Sequence, residues 1–306
     1  MLNKIIKNIL NDRNEQLDQI QFNEASRIQA ATESIPEVKE ARIKMFDLCK
    51  SKDYTLKKFN ELEKDYETVL KKHSLTQLTS TLYICKKCND SIIKNGKLCS
   101  CVTKTLFKQE ALKLCFDNLN EFKKFKQLKL VTNTKLKPYF NTMKQIATNK
   151  ATHSIYILFG GPGVGKTTLA LSLIDMATDN FKTCKFIKSF NLNNKFKDVC
   201  FNNEELSDND DIYTADILVV DDLGNEQVIN TITNEYYIDL IEKRIQNDLI
   251  TIFTTNLSPS QISNHFNERL SSRLYDTTIS KTLSKEFIDH YEGDIPQYVD
   301  LRIENN

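Results

Sequence analysis

The chain has 306 residues, a formal net charge of +1 and 40% hydrophobic residues, enough for an ordinary domain plus a smaller one. It contains no run of roughly eighteen apolar residues, which excludes a bilayer-spanning helix, and its near-zero net charge gives no global argument for a polyanionic partner. The start, Met1-Leu2-Asn3-Lys4-Ile5-Ile6-Lys7, is interrupted by polar residues and does not read as a leader, so the expectation is a cytoplasmic protein without membrane contact.

Residues 1–82 carry helical periodicity. Phe59, Leu62, Tyr66, Val69 and Leu70 recur at three- and four-residue steps. Ile35-Pro36-Glu37 reads as a helix start, followed by the stripe Val38, Ala41, Met45 and Leu48. Such stripes pack either into a small helical core or onto a partner. Residues 83–102 then hold Cys85, Cys88, Cys99 and Cys101, with Gly96 between the pairs, a spacing that suits a knuckle and hairpin offering four thiolates to one Zn²⁺. A redox dithiol is the competing reading. Four thiolates would leave no open position on the metal, which makes its role structural. The other cysteines, Cys49, Cys115, Cys184 and Cys200, are scattered singly and read as small buried apolar residues.

Residues 103–133 read as a basic helical linker (Leu106, Phe107, Leu114, Phe122, Phe125); between 103 and 150 there are eleven Lys and three acids, ordinarily a solvated face. From 134 to 306 the pattern becomes α/β. A helix over 138–147 is followed by strands over 155–159, 185–190, 217–220, 250–254 and, weakly, 277–280, which predicts a doubly wound parallel sheet. The acidic stretch 202–211 reads as a solvated loop.

Four of the chain's seven glycines fall between 160 and 165. Gly160-Gly161-Pro162-Gly163-Val164-Gly165-Lys166-Thr167-Thr168 fits the Walker A spacing G-x-x-x-x-G-K-T and lies between a strand and a helix, as a phosphate cradle requires. Gly160, Gly163 and Gly165 can take positive φ so that backbone N–H groups face phosphate oxygens at a helix N-terminus. Lys166 would reach the β- and γ-phosphates of ATP, and the Thr167 hydroxyl would serve Mg²⁺. Ile217-Leu218-Val219-Val220-Asp221-Asp222 reads as a buried strand ending in paired carboxylates, Asp221 for Mg²⁺ and Asp222 for the attacking water. Asn256, after the strand ending Thr254-Thr255, reads either as a simple turn or as an amide that could sense the γ-phosphate and position the same water. Arg269 and Arg273 lie four residues apart on one short helix; they serve either ion pairs with Glu268 or the acidic loop, or an arginine offered to a neighbouring subunit's γ-phosphate. Lys188, Phe190, Lys195, Phe196 and Lys197 fit either a single-strand groove or an ordinary amphipathic element.

These motifs together resemble the bacterial replicative-helicase loaders of the DnaC/DnaI type, a branch of the AAA+ ATPases. The resemblance rests on the Walker A loop, on Val220-Asp221-Asp222-Leu223-Gly224, on Thr254-Thr255-Asn256 and on Glu268-Arg269-Leu270-Ser271-Ser272-Arg273-Leu274. It implies an AAA+ P-loop core with sheet order 5-1-4-3-2, preceded by a helical N-terminal domain with a small zinc-binding segment. It also implies that Arg273 acts in trans, and that Cys115-Phe116-Asp117-Asn118-Leu119 is similar to an aromatic motif lining the adenine pocket. The implied partners are a hexameric replicative DNA helicase, single-stranded DNA and further copies of the chain. Asp222 stands where many AAA+ proteins carry Glu, which makes Glu226 a candidate helper. On this reading the roughly thirty residues after Arg273 are expected to be too few for a helical lid or an initiator's DNA-binding domain, which favours a loader. Two rivals remain, a transposition-helper ATPase of the IstB type and a non-hydrolysing, nucleotide-stabilised helicase adaptor.

Overall fold

The computed structural model describes residues 1–51, 53–75, 83–117, 137–202, 207–283, 288–292 and 295–298. The chain divides into two compact units, Ile6–Cys101 and Met1–Ile5 with Val102–Asn306. No helix among the described residues is long and apolar enough to cross a membrane.

The first unit is built mainly from α1 (Leu2–Ser34), α2 (Pro36–Lys50) and α3 (Leu56–Lys72). Pro36 opens α2 because its missing N–H costs nothing in a first turn, and the Thr55 hydroxyl caps α3 by accepting the Lys58 N–H. Part of each expected stripe faces inward, since Val38, Tyr66 and Leu70 are buried with Ala31 and Leu75, and Ala41, Met45 and Val69 pack beside them, whereas Leu48, Phe59 and Leu62 are half-buried outside that core. Strands β1 (Ile93–Lys94) and β2 (Lys97–Leu98) form a hairpin across Asn95-Gly96. Both turn residues have positive φ (53° and 71°), which Asn and Gly tolerate and which matches the twist of the strands.

The second unit continues with α4 (Lys104–Cys115), α5 (Lys137–Ala147), β3 (Ile155–Phe159), α6 (Lys166–Thr178), β4 (Cys184–Lys188), α7 (Ser189–Asn202), α8 (Asp211–Thr214), β5 (Ile217–Leu223), α9 (Asn230–Gln246), β6 (Ile250–Thr255), α10 (Pro259–His265), α11 (Glu268–Tyr275) and β7 (Ser280–Leu283). An antiparallel pair, β8 (Ile288–Glu292) and β9 (Ile295–Tyr298), follows. The central sheet is parallel throughout with order β4-β5-β6-β3-β7, the expected 5-1-4-3-2 arrangement read from its other edge. Alternation along β3 sends Tyr156 and Leu158 into a core with Met143, Leu169 and Leu173, and Ile155 and Ile157 into another with Phe196, Tyr237 and Leu270. Helices therefore cover both faces, which is why the strands read as unbroken apolar runs.

Several expectations need correction. The second core strand stops at Lys188, because Ser189 begins α7 and donates its hydroxyl to the Asp222 carbonyl (2.7 Å). The last core strand starts only at Ser280, where residues 277–280 were expected to form it; Asp276 turns the chain there by accepting the Thr278 N–H and hydroxyl. Cys115 and Cys184 are buried as expected, but Cys49 and Cys200 are exposed, each lying on a helix face that no core covers. Phe107 is buried in α4, whereas Phe122 and Phe125 lie outside the described residues.

Arg244, on α9, went unnoticed in the sequence, yet its side chain is fully buried. Its guanidinium donates to Thr251 Oγ1 (2.9 Å), the Ile212 carbonyl (2.8 Å) and the Ile250 carbonyl (2.7 Å), so one side chain ties α9 to α8 and to the start of β6. Burial lowers its pKa to about 9, which still leaves it charged near neutrality. Arg244→Ala leaves two buried carbonyls without this donor and is expected to cost about 3–5 kcal/mol in urea unfolding. A midpoint equal to that of the wild type would remove Arg244 from the framework.

Candidate functional site

The phosphate loop follows β3, whose pairing with β6 extends one step further as the Gly160 N–H donates to the Thr255 carbonyl (3.3 Å). Gly160 therefore stays with the sheet instead of taking the expected positive φ, and Gly163 (85°) and Gly165 (91°) make the turn. Gly165 precedes α6 without any side-chain cap, an arrangement in which first-turn amides can serve an anion. Lys166 is buried, and its Nζ donates to the Gly160 carbonyl (2.8 Å), the Gly161 carbonyl (2.7 Å) and Asn256 Oδ1 (2.6 Å).

Asp221 ends the regular part of β5 and is also buried. Its Oδ1 accepts from Thr167 Oγ1 (2.9 Å) and Thr254 Oγ1 (2.8 Å). Burial raises its pKa above the ordinary carboxylate value, while the two hydroxyls oppose that shift. Directly after it the β5–β6 register breaks between Val220 and Leu223, and Asp222 takes φ of 64°. Such a bulge re-aims a side chain. Here it sends the Asp222 carboxylate toward the amides of Asn256 (3.4 Å) and Asn225 (3.1 Å), while the Asp222 N–H donates to Thr254 Oγ1 (2.8 Å). Lys166, Thr167, Asp221, Asp222 and Asn256 thus form one continuous cluster at the ends of β3, β5 and β6.

Glu226 does not face that cluster. It is buried, and its Oε2 accepts the Gly224 N–H (2.9 Å), so it braces the turn after Asp222. Gly224 has φ of 98°, and a Cβ there would fall 2.3 Å from Leu257 Cδ1, so only glycine fits this turn. Two contributors were missed in the sequence, Thr254 and Asn225. Thr254 could have been suspected, since the expected parallel neighbour of an aspartate-tipped strand carries a hydroxyl at its own tip.

Arg273 lies apart from the cluster. On α11, Leu270 and Leu274 are buried, which turns both arginines outward. Arg269 pairs with Glu235 (3.0 Å) and Arg273 with Glu242 (3.0 Å), both on α9 rather than at Glu268 or the acidic loop. The single-strand groove loses its central aromatic, because Phe196 is fully buried and stacks on Tyr236 at 5.2 Å; Lys195 pairs with Asp210. Phe190 remains exposed. Phe116 is buried against Phe186 (5.5 Å) and bridges its backbone, which seats the end of α4 on the edge strand β4; Asn118 and Leu119 lie outside the described residues.

In the first unit, Cys85, Cys88, Cys99 and Cys101 bring their sulfurs within 4.8 Å of one another. The pairs Cys85–Cys99 (3.9 Å) and Cys88–Cys101 (3.7 Å) are too long for disulfides and match the edge of about 3.8 Å that a tetrahedron with Zn–S bonds of about 2.3 Å requires. Backbone amides of Cys88 and Lys87 lower the Cys85 pKa to about 6, and the Cys101 amide lowers that of Cys99, so the local backbone favours thiolates at these two positions. The cluster can hold a zinc ion.

Residues 111–282 match the protein family described as IstB-like ATP binding protein. No curated protein sequence matches the chain. Among solved structures, the chain is similar to the DnaC helicase loader (22% identity, 53% of this chain and 98% of that one, TM-score 0.46). It is also similar to a putative primosome component from Streptococcus pyogenes serotype M3 (17% identity, 53% and 87%, TM-score 0.42) and to DnaI (16%, 57% and 89%, TM-score 0.41).

The two ends of the cluster are expected to separate in mutants. If Lys166 meets the phosphates in the ground state, Lys166→Ala should abolish ATP binding in a fluorescent-nucleotide titration. If Asp222 acts on the attacking water, Asp222→Asn should retain binding and lose about 10²–10⁴-fold in turnover. Equal nucleotide affinity for Lys166→Ala and wild type would rule out the phosphate-loop assignment.

Proposed function

The chain belongs to the IstB-like ATP-binding protein family, and from that premise we propose that it is an ATP-hydrolysing loader that delivers a hexameric replicative DNA helicase onto single-stranded DNA. The observation that carries this reading is the pairing, in one chain, of a complete phosphate-loop cluster with a separate helical unit built around four cysteines. That unit, Ile6–Cys101, lies outside the residues matched by the family. It carries no part of the nucleotide cluster, so binding is its remaining use, and the resemblance to DnaC/DnaI-type loaders gives the occupant as the helicase.

In this reading the loop residues Gly160, Gly161, Pro162, Gly163, Val164 and Gly165, with Thr168 behind them, enclose the ATP phosphates, and Lys166 exchanges a loop carbonyl or Asn256 for a phosphate oxygen. Thr167 and Asp221 fit Mg²⁺, because their oxygens already converge within 2.9 Å and a hard cation prefers such donors. The ion, when bound, offsets the charge of the phosphates. Asp222 and Asn256 orient the water that attacks the γ-phosphate. Arg273 leaves Glu242 to reach a neighbouring subunit's phosphates, so hydrolysis is slow in the monomer and coupled to assembly. Zinc at the four cysteines is structural.

Capture of the purified replicative helicase by the full-length chain, with ATP and without it, tests the loader reading. Binding through apolar helix faces should persist at raised salt, whereas contact with single-stranded DNA should weaken steeply through counterion release. Capture of a transposase with no capture of helicase would install the IstB-type rival.

The trans role of Arg273 has its own test. Arg273→Ala alone and Lys166→Ala alone should each hydrolyse little ATP, and a mixture should recover part of the rate, since one subunit supplies the arginine and the other the pocket. Normal turnover by Arg273→Ala alone would end the finger assignment.

A further inference from the structure

We propose that Arg13 is an outer partner of the cysteine cluster, so that a metal held by the four thiols and the middle of α1 keep each other in place. The inference rests on the zinc reading given above.

Arg13 lies on α1, 77 residues before Asp90, yet it is only 6% exposed. Its two terminal nitrogens divide their work. Nη1 donates to Asp90 Oδ1 (3.1 Å), and Nη2 donates to Cys101 Sγ (3.1 Å). Asp90 in turn accepts the N–H groups of Ile84 (2.8 Å) and Cys85 (2.8 Å). One arm of the guanidinium therefore reaches the loop that carries the first cysteine pair, and the other touches a sulfur of the second pair. A planar fork reaches the two acceptors from separate nitrogens in a fixed geometry, which the single nitrogen of an ammonium does not reproduce.

Charge and strain both call for such a partner. Four thiolates around one divalent ion leave a net charge of about −2 in a site with little solvent contact. Lys86, Lys87, Lys94 and Lys97 of the same segment are exposed, whereas Arg13 is buried and donates to a sulfur of the cluster. The connecting turn also holds Asn89, Asp90 and Ile92 at φ of 49°, 57° and 64°, and Ile92 is a fully buried β-branched residue. Backbone of this kind persists only when its surroundings over-determine it. The four sulfurs fix the turn from one side, and the Arg13–Asp90 bridge fixes it from the other.

Thermodynamic reciprocity then links metal and helix: whatever factor the Arg13 bridge adds to metal affinity, the metal adds to the contact between α1 and the knuckle. Outer partners of metal ligands ordinarily account for about 10–100-fold in affinity.

The test uses the full-length protein. Zinc affinity is measured by competition with a chromophoric chelator for wild type, Arg13→Met and Arg13→Lys, with nucleotide affinity as a check that the second unit is intact. Arg13→Met should bind zinc about 10–100-fold more weakly, and Arg13→Lys should recover only part of the loss. Hydrogen exchange of the wild type before and after chelation gives a readout that needs no variant. Amides around residue 13 should lose protection, whereas those near Val38, Tyr66 and Leu70 should keep it. Unchanged zinc affinity in Arg13→Met, or unchanged protection around residue 13 after zinc is removed, overturns the proposal. Wild-type protein that takes up no zinc overturns the metal reading itself, a separate result seen before any variant is made.

Discussion

The buried carboxylate of Asp221 accepts hydrogen bonds from Thr167 at the start of α6 and from Thr254 in β6, and these two bonds bring three elements to one point. Each partner depends on the parallel sheet. Thr167 is delivered by the loop that leaves β3, Thr254 by the strand lying between β3 and β5, and Asp221 by β5 itself. Burial disfavours the charged carboxylate, so the hydroxyls help keep it ionised and aimed. The rest of the cluster hangs from this point. With Asp221 fixed, the bulge that follows can send Asp222 only toward Asn225 and Asn256, and Asn256 in turn accepts from Lys166.

Lys166 is therefore held by oxygens that compete with any phosphate for the same ammonium. Two of these are carbonyls of its own loop and one belongs to Asn256. A triphosphate offers anionic acceptors, so the exchange would replace contacts between the ammonium and neutral oxygens with a contact between opposite charges. It also frees the Asn256 amide oxygen, which lies in the same chain of contacts as Asp222. In the proposed reading, nucleotide arrival and the orientation of the Asp222 carboxylate would be linked through Asn256, which contacts both Lys166 and Asp222.

The phosphate loop and the carboxylate pair were legible in the sequence because each is a contiguous run whose chemistry is fixed by local spacing: glycines before Lys166, apolar residues before Asp221. The four cysteines were legible for the same reason. What escaped was what only the sheet creates. Thr254 belongs to the cluster through its register beside β5, and Arg244 reads as one more helical surface charge until α8 and β6 close over it. Phe196 failed in the opposite direction. Its spacing among lysines suggested a stacking surface, but the opposite face of α7 is what the core of β5 and α9 covers, and an aromatic ring at that position gains more from burial than from solvent. Arg13 lay beyond sequence reasoning altogether, since nothing local connects one helical arginine to a knuckle dozens of residues away.

The placement of Arg273 bears directly on how such a chain would keep hydrolysis coupled to assembly. Its pairing with Glu242 is exposed, 48% and 39% for the two side chains, and pairs of this kind contribute about 0–1 kcal/mol. An arginine finger, by comparison, contributes about 10³–10⁵-fold to phosphoryl transfer. A pair this weak holds the side chain only loosely, so under the proposed trans role it would offer little resistance to a neighbour's triphosphate. Since α11 is anchored by Leu270 and Leu274 and capped by Asn267, the helix itself need not move for the exchange. If Arg273 acts in trans as proposed, a rotamer change at one residue, set against a charge that develops only in the neighbour's transition state, would make turnover depend on a second copy.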